Sequence, residues 1–390
     1  MMRSNSTGTI LPATLLTLIF ALPQVAITQE PEFAGRTLSA WAIMAKEDPV
    51  PRKRRAALVA LGQIASQSDN RDVLKQVVAV VGRALRTDAN SQVRQQAALI
   101  LGQQNAEVAV VALTDLVEAL RVEADSTVRR DIVVTLARFG PLAKPAITPL
   151  IDSLKEGSPP LQAAAADALG RIGAEARVAI PELLRLAESS EVSVRQAAVF
   201  ALGRIEPEDP QPSAAMLIRI LKTDPELAIR REALGSLGFL GDRSEPVVEA
   251  IAGVLATEDV ELRRQAMIIL GKFGKVVRSV APAVVRSFRE DPDLIVRMVA
   301  IRPVSQALAD SPRELISTLG NRLTGPGADS AFEVRVAICE ELGSIGHADK
   351  DRVLPLLREA RRDSQIKVRE AATQAIRQIE KPSKESPNQP

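Results

Sequence analysis

The stretch Asp259–Phe273, DVELRRQAMIILGKF, decides the architecture. Counted from Leu262, the apolar residues Ala266, Ile269, Leu270 and Phe273 follow at 4, 7, 8 and 11 positions, which is one face of a 3.6-residue period. Arg263, Arg264 and Lys272 fall off that face. A helix this short cannot cover its own stripe and needs neighbours with matching stripes. The chain supplies them by writing nearly the same helix again and again.

The apolar–Arg pair Leu262-Arg263 recurs as Val93-Arg94, Val128-Arg129, Val194-Arg195, Ile229-Arg230, Val296-Arg297, Val334-Arg335 and Val368-Arg369. Lys53-Arg54 and Leu161-Gln162 are weaker copies, and successive copies lie 33 to 40 residues apart. Eight residues after the Arg position stands Gly62, Gly102, Gly170, Gly203, Gly238, Gly271 or Gly343, replaced elsewhere by Ala137, Ser305 and Arg377. Six residues before it stand Asp48, Asp88, Glu123, Glu156, Ser189, Asp224, Thr257, Asp291, Asp329 and Asp363. Asp, Ser and Thr suit turns and helix starts, because their oxygens accept from free backbone N–H groups. Three columns in register over ten copies specify a solenoid.

Each copy continues into a second apolar stretch, usually opened by proline, as at Ile180-Pro181, Ala281-Pro282 and Leu354-Pro355. Proline belongs in a first helical turn, where its missing N–H costs nothing. Each unit therefore reads as helix A, turn, helix B. With no Tyr and one Trp, the aromatic pattern of tetratricopeptide units is missing, and the T-P-L-H start of ankyrin units is absent. The pattern D-x5-V-R-x2-A-x2-A-L-G-x-I-G, as it stands in Glu191–Ile205 and Leu161–Gly173, resembles HEAT repeats. The short period is similar to that of the bilin lyase subunits and of bacterial scaffold proteins. The resemblance implies an all-α, right-handed superhelix of about ten helix pairs over residues 47–380, with helix B lining the concave face.

Outside the repeats, residues 1–28 read as an export signal: Arg3 is a short basic start, Ile10–Ala21 is an uncharged apolar core, and Ala26-Ile27-Thr28 offers small residues before a cut at Gln29. Retained instead, Ile10–Ile27 would be an 18-residue anchor, near the lower limit for spanning a membrane. Residues 29–46 place Leu38, Trp41, Ala42 and Ala45 at helical spacing and read as a capping helix whose indole covers the open end of repeat 1. Repeat 8 departs from the pattern. Pro303 falls inside its helix A and is expected to kink or stop it, and Gly325-Pro326-Gly327 is expected to loosen the connection that follows. Residues 381–390 are polar, proline-rich and without an apolar stripe, and are expected to be disordered.

The residues carry little sign of chemistry. Cys339, the one cysteine, occupies a packing column with Ala98, Val199 and Met267, and His347, the one histidine, lies in a turn beside Asp349 and Asp351. No catalytic, metal or cofactor residue is assigned. HEAT-repeat hydroxylases hold iron with paired His-Glu motifs that one histidine cannot supply. Nucleic acid is not an expected partner, since 50 basic residues balance 48 acidic ones and aromatics are 2% of the chain. What remains is surface. One polar column on helix B holds Arg83, Glu118, Asp152, Arg185, Arg219, Gly253, Arg286, Ser317 and Arg358. Arg83, Arg185, Arg219, Arg286 and Arg358 are the candidate partner-binding residues, suited to an acidic protein or peptide.

The expected function is a non-enzymatic scaffold that binds a protein partner outside the cytoplasm, periplasmic or extracellular, and tethered to the membrane if residues 1–28 are retained. The alternatives are a lyase-like accessory protein related to bilin lyase subunits and a purely structural envelope component. Mass spectrometry of the N-terminus checks the export reading: a mature chain starting near Gln29 is expected, and an intact Met1 in a cytosolic fraction refutes it.

Overall fold

The computed structural model describes residues 30–104 and 106–381, and these form an α-solenoid. The expected export signal at residues 1–28 and all but the first residue of the expected disordered tail lie outside the described residues. The deciding stretch forms a helix at Val260–Phe273, with Asp259 as its N-cap accepting the Leu262 N–H at 2.7 Å. Its whole stripe is buried: Leu262, Ala266, Ile269, Leu270 and Phe273. Gly274 ends it at φ +72°, a conformation that a side chain would strain.

Among the described residues the unit repeats as nine A–B pairs, from Pro51–Ser66 with Arg71–Thr87 to Phe332–Ile345 with Lys350–Ala360, followed by a tenth helix A at Ile366–Glu380. Successive helices A pack side by side and helices B form a second layer. Their apolar faces share one continuous core. In repeats 3, 4 and 7 a short 3₁₀ segment precedes helix B: Gly140–Ala146, Gly173–Ala179 and Gly274–Val280. Pro181 and Pro282 sit in the first turn of their helices B, as their spacing requires. Pro355 does not: helix B of repeat 9 starts earlier, at Lys350, and runs through it.

The start of the solenoid holds an element that the periodicity does not reveal. Glu32–Phe33 and Arg36–Thr37 pair as a two-stranded antiparallel hairpin ahead of the capping helix Leu38–Glu47. Leu38 and Ala45 are the helix's buried residues, and Trp41 is only half-buried. The indole N–H donates to the Phe33 carbonyl at 2.9 Å, and the Arg36 guanidinium lies 5.1 Å from the ring centroid. Trp41 thus fastens the hairpin to the cap while packing on the core.

The glycine column is a line of close approach between successive helices A. A Cβ built on Gly203 would lie 2.4 Å from Ser236 Cβ and 2.5 Å from its Cα, and one on Gly170 would lie 2.9 Å from Ala201 Cα. Repeat 8 corrects one expectation. Helix A runs unbroken from Leu294 to Ala307 through Pro303, so the proline does not stop it. The Pro303 ring is buried against Gly271, where a Cβ would meet it at 3.4 Å, so packing compensates for the lost backbone bond. The connection around Gly325–Gly327 is tied as well: Asp329 N–H donates to the Arg322 carbonyl at 2.8 Å, and Arg322 Nη1 to the Gly327 carbonyl at 3.1 Å.

Gly203→Ala should therefore lose about 1–3 kcal/mol by overpacking. Gly253→Ala is the control: a Cβ there has no neighbour within 4 Å, and helix propensity should make the change neutral or stabilising by up to about 1 kcal/mol. Denaturant midpoints of the two variants check this, and equal effects would refute the close-approach reading.

Candidate functional site

Among the described residues the acid and arginine columns meet at six junctions; at the junction of repeats 3 and 4 Arg129 and Glu156 are both present and do not pair. Arg297 shows the geometry. Its Nη1 donates to the Asp291 carbonyl at 2.7 Å, in the turn that opens its own repeat. Its Nε and Nη2 donate to the two Asp329 carboxylate oxygens at 2.8 and 2.9 Å, in the turn that opens the next. Arg54 holds Asp88 in the same way, Arg94 holds Glu123, Arg195 holds Asp224, Arg263 holds Asp291 and Arg335 holds Asp363. The acid also accepts the N–H two residues on, as Asp329 does from Ala331 at 3.0 Å and Asp88 from Asn90 at 2.9 Å. It therefore builds the turn. The helix N-cap comes two residues later, at Asn90, Asp125 or Asp293.

These groups form a structural ladder. Arg297 is 9% and Asp329 0% exposed at the side chain, and their bonds go to each other, to backbone and, from Asp329, to Arg322. Burial works against the Asp329 charge, but Arg297, the Ala331 amide and Arg322 outweigh it and hold the carboxyl below its usual range. The Arg335 bonds do the same for Asp363 against burial. A parallel rung joins Arg264 to Asp293, whose carboxyl is held down to about 2 by Arg264, against burial and with help from the Val296 amide. Arg129 reaches no carboxylate among the described residues, and its Nε is buried without a hydrogen-bond partner.

The other two reactive side chains are placed as packing and turn residues. Cys339 is fully buried, and burial, with Asp363 and Glu340 adding to it, pushes its thiol up to about 12. It is not a thiolate at neutral pH. His347 is exposed in the turn after Ile345. Among the described residues there is no group of three or more His, Cys, Asp and Glu side chains able to hold a metal, and no helix long and apolar enough to cross a membrane.

All five candidate arginines stand on helices B and face solvent. Three already have acidic partners. Arg185 Nε donates to Glu182 Oε1 at 2.8 Å, Arg219 pairs with Glu188 of the preceding repeat, and Arg358 lies 3.9 Å from Glu380. Arg83 and Arg286 have no carboxylate partner among the described residues, and each lines a cleft. Arg83 borders a cleft of about 520 Å³ between the capping helix and helix B of repeat 1, with Ala42, Lys46, Val80 and Ala84. Arg286 borders one of about 430 Å³ between repeats 6 and 7, with Glu249, Gly253 and Pro282. The row of equivalent arginines is thus divided: three are neutralised within the molecule and two are open to a partner.

A family model described as HEAT repeats matches residues 38–137, 147–238 and 214–304. No curated protein matches the chain by sequence. Among solved structures, importin beta crystallised with ammonium sulfate aligns at a TM-score of 0.55 and 13% identity, covering 87% of this chain and 51% of that one. A Kap121p mutant aligns at 0.51 and 13% identity over 88% of this chain and 45% of that one. Kap95p from a study of its binding to RanGDP aligns at 0.51 and 12% identity over 88% and 50%. The chain spans about half the length of these structures, and at such identities the likeness is one of fold.

Acid tests the ladder. Carboxyls depressed by folding contribute stability that is present above their unfolded values, near 4, and is lost as pH falls through the folded ones. For Asp293 that window runs from about 4 down to about 2. Denaturant midpoints should fall across it, and Asp293→Asn should flatten the fall while lowering the midpoint at neutral pH. A midpoint constant from pH 4 to pH 2 would contradict this assignment.

Proposed function

The chain belongs to the HEAT-repeat family, and on that premise we propose that it is a non-enzymatic scaffold binding a protein or peptide partner outside the cytoplasm. The observation that carries the reading is the pair of open arginines on the helix B layer. Arg83 and Arg286 each line a cleft of mixed apolar and charged residues, and neither is within salt-bridge distance of a carboxylate among the described residues. A guanidinium grips a carboxylate through two parallel hydrogen bonds, so the layer suits an acidic, extended segment. A solenoid presents such positions along its length, where one partner can engage several at once.

Export of the chain and recognition through a concave helix B face belong to the same proposal. They rest on the apolar segment Ile10–Ala21 and on the resemblance to HEAT solenoids.

The reading makes Arg185, Arg219 and Arg358 spectators, since their charge is already matched. The experiment captures partners with the chain lacking residues 1–28 and quantifies them by mass spectrometry. Arg83→Glu together with Arg286→Glu should weaken the principal partner by about tenfold or more. Arg185→Glu, Arg219→Glu and Arg358→Glu together should weaken it far less, and circular dichroism should show both variants folded. Equal losses, or no loss in the first variant, would overturn the assignment.

A further inference from the structure

Helix A of repeat 5, Val192–Arg204, ends on an arginine whose position is set by aromatic rings and not by a counter-ion. The Arg204 guanidinium lies 4.2 Å from the ring centroid of Phe200, one turn back on the same helix. It lies 4.3 Å from the centroid of Phe239, near the end of helix A of repeat 6, Leu227–Leu240. The chain has eight Phe and no Tyr, so the convergence of two rings on one cation is a local concentration of a scarce residue type. Phe200 is half-buried, its ring covering Gly170 of repeat 4 where a Cβ would meet it at 3.0 Å. Phe239 is 67% exposed.

No hydrogen bond or ion pair ties the Arg204 side chain to any described residue. This separates it from the arginines around it: the ladder arginines are fully engaged, and Arg171, one repeat earlier, donates to Asp167 at 2.8 Å. Glu232, on helix A of repeat 6, feels the Arg204 charge but lies beyond salt-bridge distance, and burial pushes its carboxyl up. Rings packed on a guanidinium occupy its faces and leave its N–H donors radiating in the plane, unspent. The group is held in orientation, so an acceptor arriving in that plane meets a prepared fork without having to order a flexible chain.

We propose that Phe200, Arg204 and Phe239 form a second docking surface, on the helix A layer, which takes an Asp or Glu side chain of a protein partner together with an apolar residue that rests on the Phe239 ring. One open guanidinium matches one carboxylate. The site is exposed on a helix surface, which suits a segment passing across it. It is separate from the helix B arginines, and it stands or falls apart from them.

The test uses the chain lacking residues 1–28 and fluorescence anisotropy of a labelled, C-terminally amidated peptide of alternating Leu and Asp, with the Leu–Asn peptide as its neutral counterpart. The acidic peptide should bind about tenfold tighter or better than the neutral one. Arg204→Lys, which keeps the charge but loses the planar fork, and Phe239→Ala should each weaken it about fivefold or more. In the background of the double variant Arg83→Glu, Arg286→Glu, which removes the helix B positions, Arg204→Lys and Phe239→Ala should still weaken the remaining binding. Failure of the acidic peptide to bind, equal binding of the neutral peptide, or insensitivity to Arg204→Lys and Phe239→Ala in the helix B variant background would each overturn the proposal.

Discussion

A buried arginine that spans two turns is the constraint on which the rest of this solenoid depends. Every repeat must fix two things, the direction in which its helix A leaves the turn and the distance to the next helix A. The column arginine sets both, because its guanidinium binds the carbonyl of its own turn and the carboxylate of the next. Neither group is useful alone at such depth. A lone buried charge costs several kcal/mol, so an unpaired column arginine must find other acceptors. Where the acid lapses, at Thr257, Arg230 keeps only its turn carbonyls, and the neighbouring Arg231 reaches Asp259 instead.

Repeat 4 shows the other way to hold a junction. Its column residue is Gln162, which donates to the Leu154 carbonyl and to no acid, and Arg129 before it is unmatched. The same repeat buries Ala165, Ala166, Ala168 and Gly170 and receives its neighbour's backbone at the glycine. Small side chains let helices approach until dispersion and apolar burial do what the ion pair does elsewhere. The ladder and the close approach thus serve one requirement, that consecutive repeats keep a fixed offset; they act together between repeats 5 and 6, where Gly203 meets Ser236 and Arg195 holds Asp224, and close approach acts without the ladder at repeat 4.

Much of this was legible in the sequence, because the requirement recurs. Leu262 to Phe273 announced the helix, and the three columns in register announced the solenoid. The residues that were misread are those that occur once. Pro303 looked like a break because propensity was weighed without the Gly271 face that receives it. The hairpin at Glu32–Thr37 is too short for any period to show. The acids were read as suiting turns and helix starts; they shape the turn and leave capping to the residue two positions on. The surface was the least legible part. Arg185 and Arg83 share a column, and only the fold shows that Glu182 satisfies one and nothing satisfies the other. Phe200 and Phe239 fall in different columns, so their meeting at Arg204 appears only once the helices are stacked.

The most direct test of the ladder is a double-mutant cycle at Arg263 and Asp291, whose side chains are 9% and 4% exposed. Arg263→Met, Asp291→Asn and the double variant would be unfolded by denaturant at neutral pH. If the pair fixes the junction, each single change should cost about 3–5 kcal/mol and the coupling energy should reach about 1.5 kcal/mol or more. Additive effects, with a coupling within about 0.5 kcal/mol of zero, would show that the junction is set by apolar packing and that the arginine merely accompanies it.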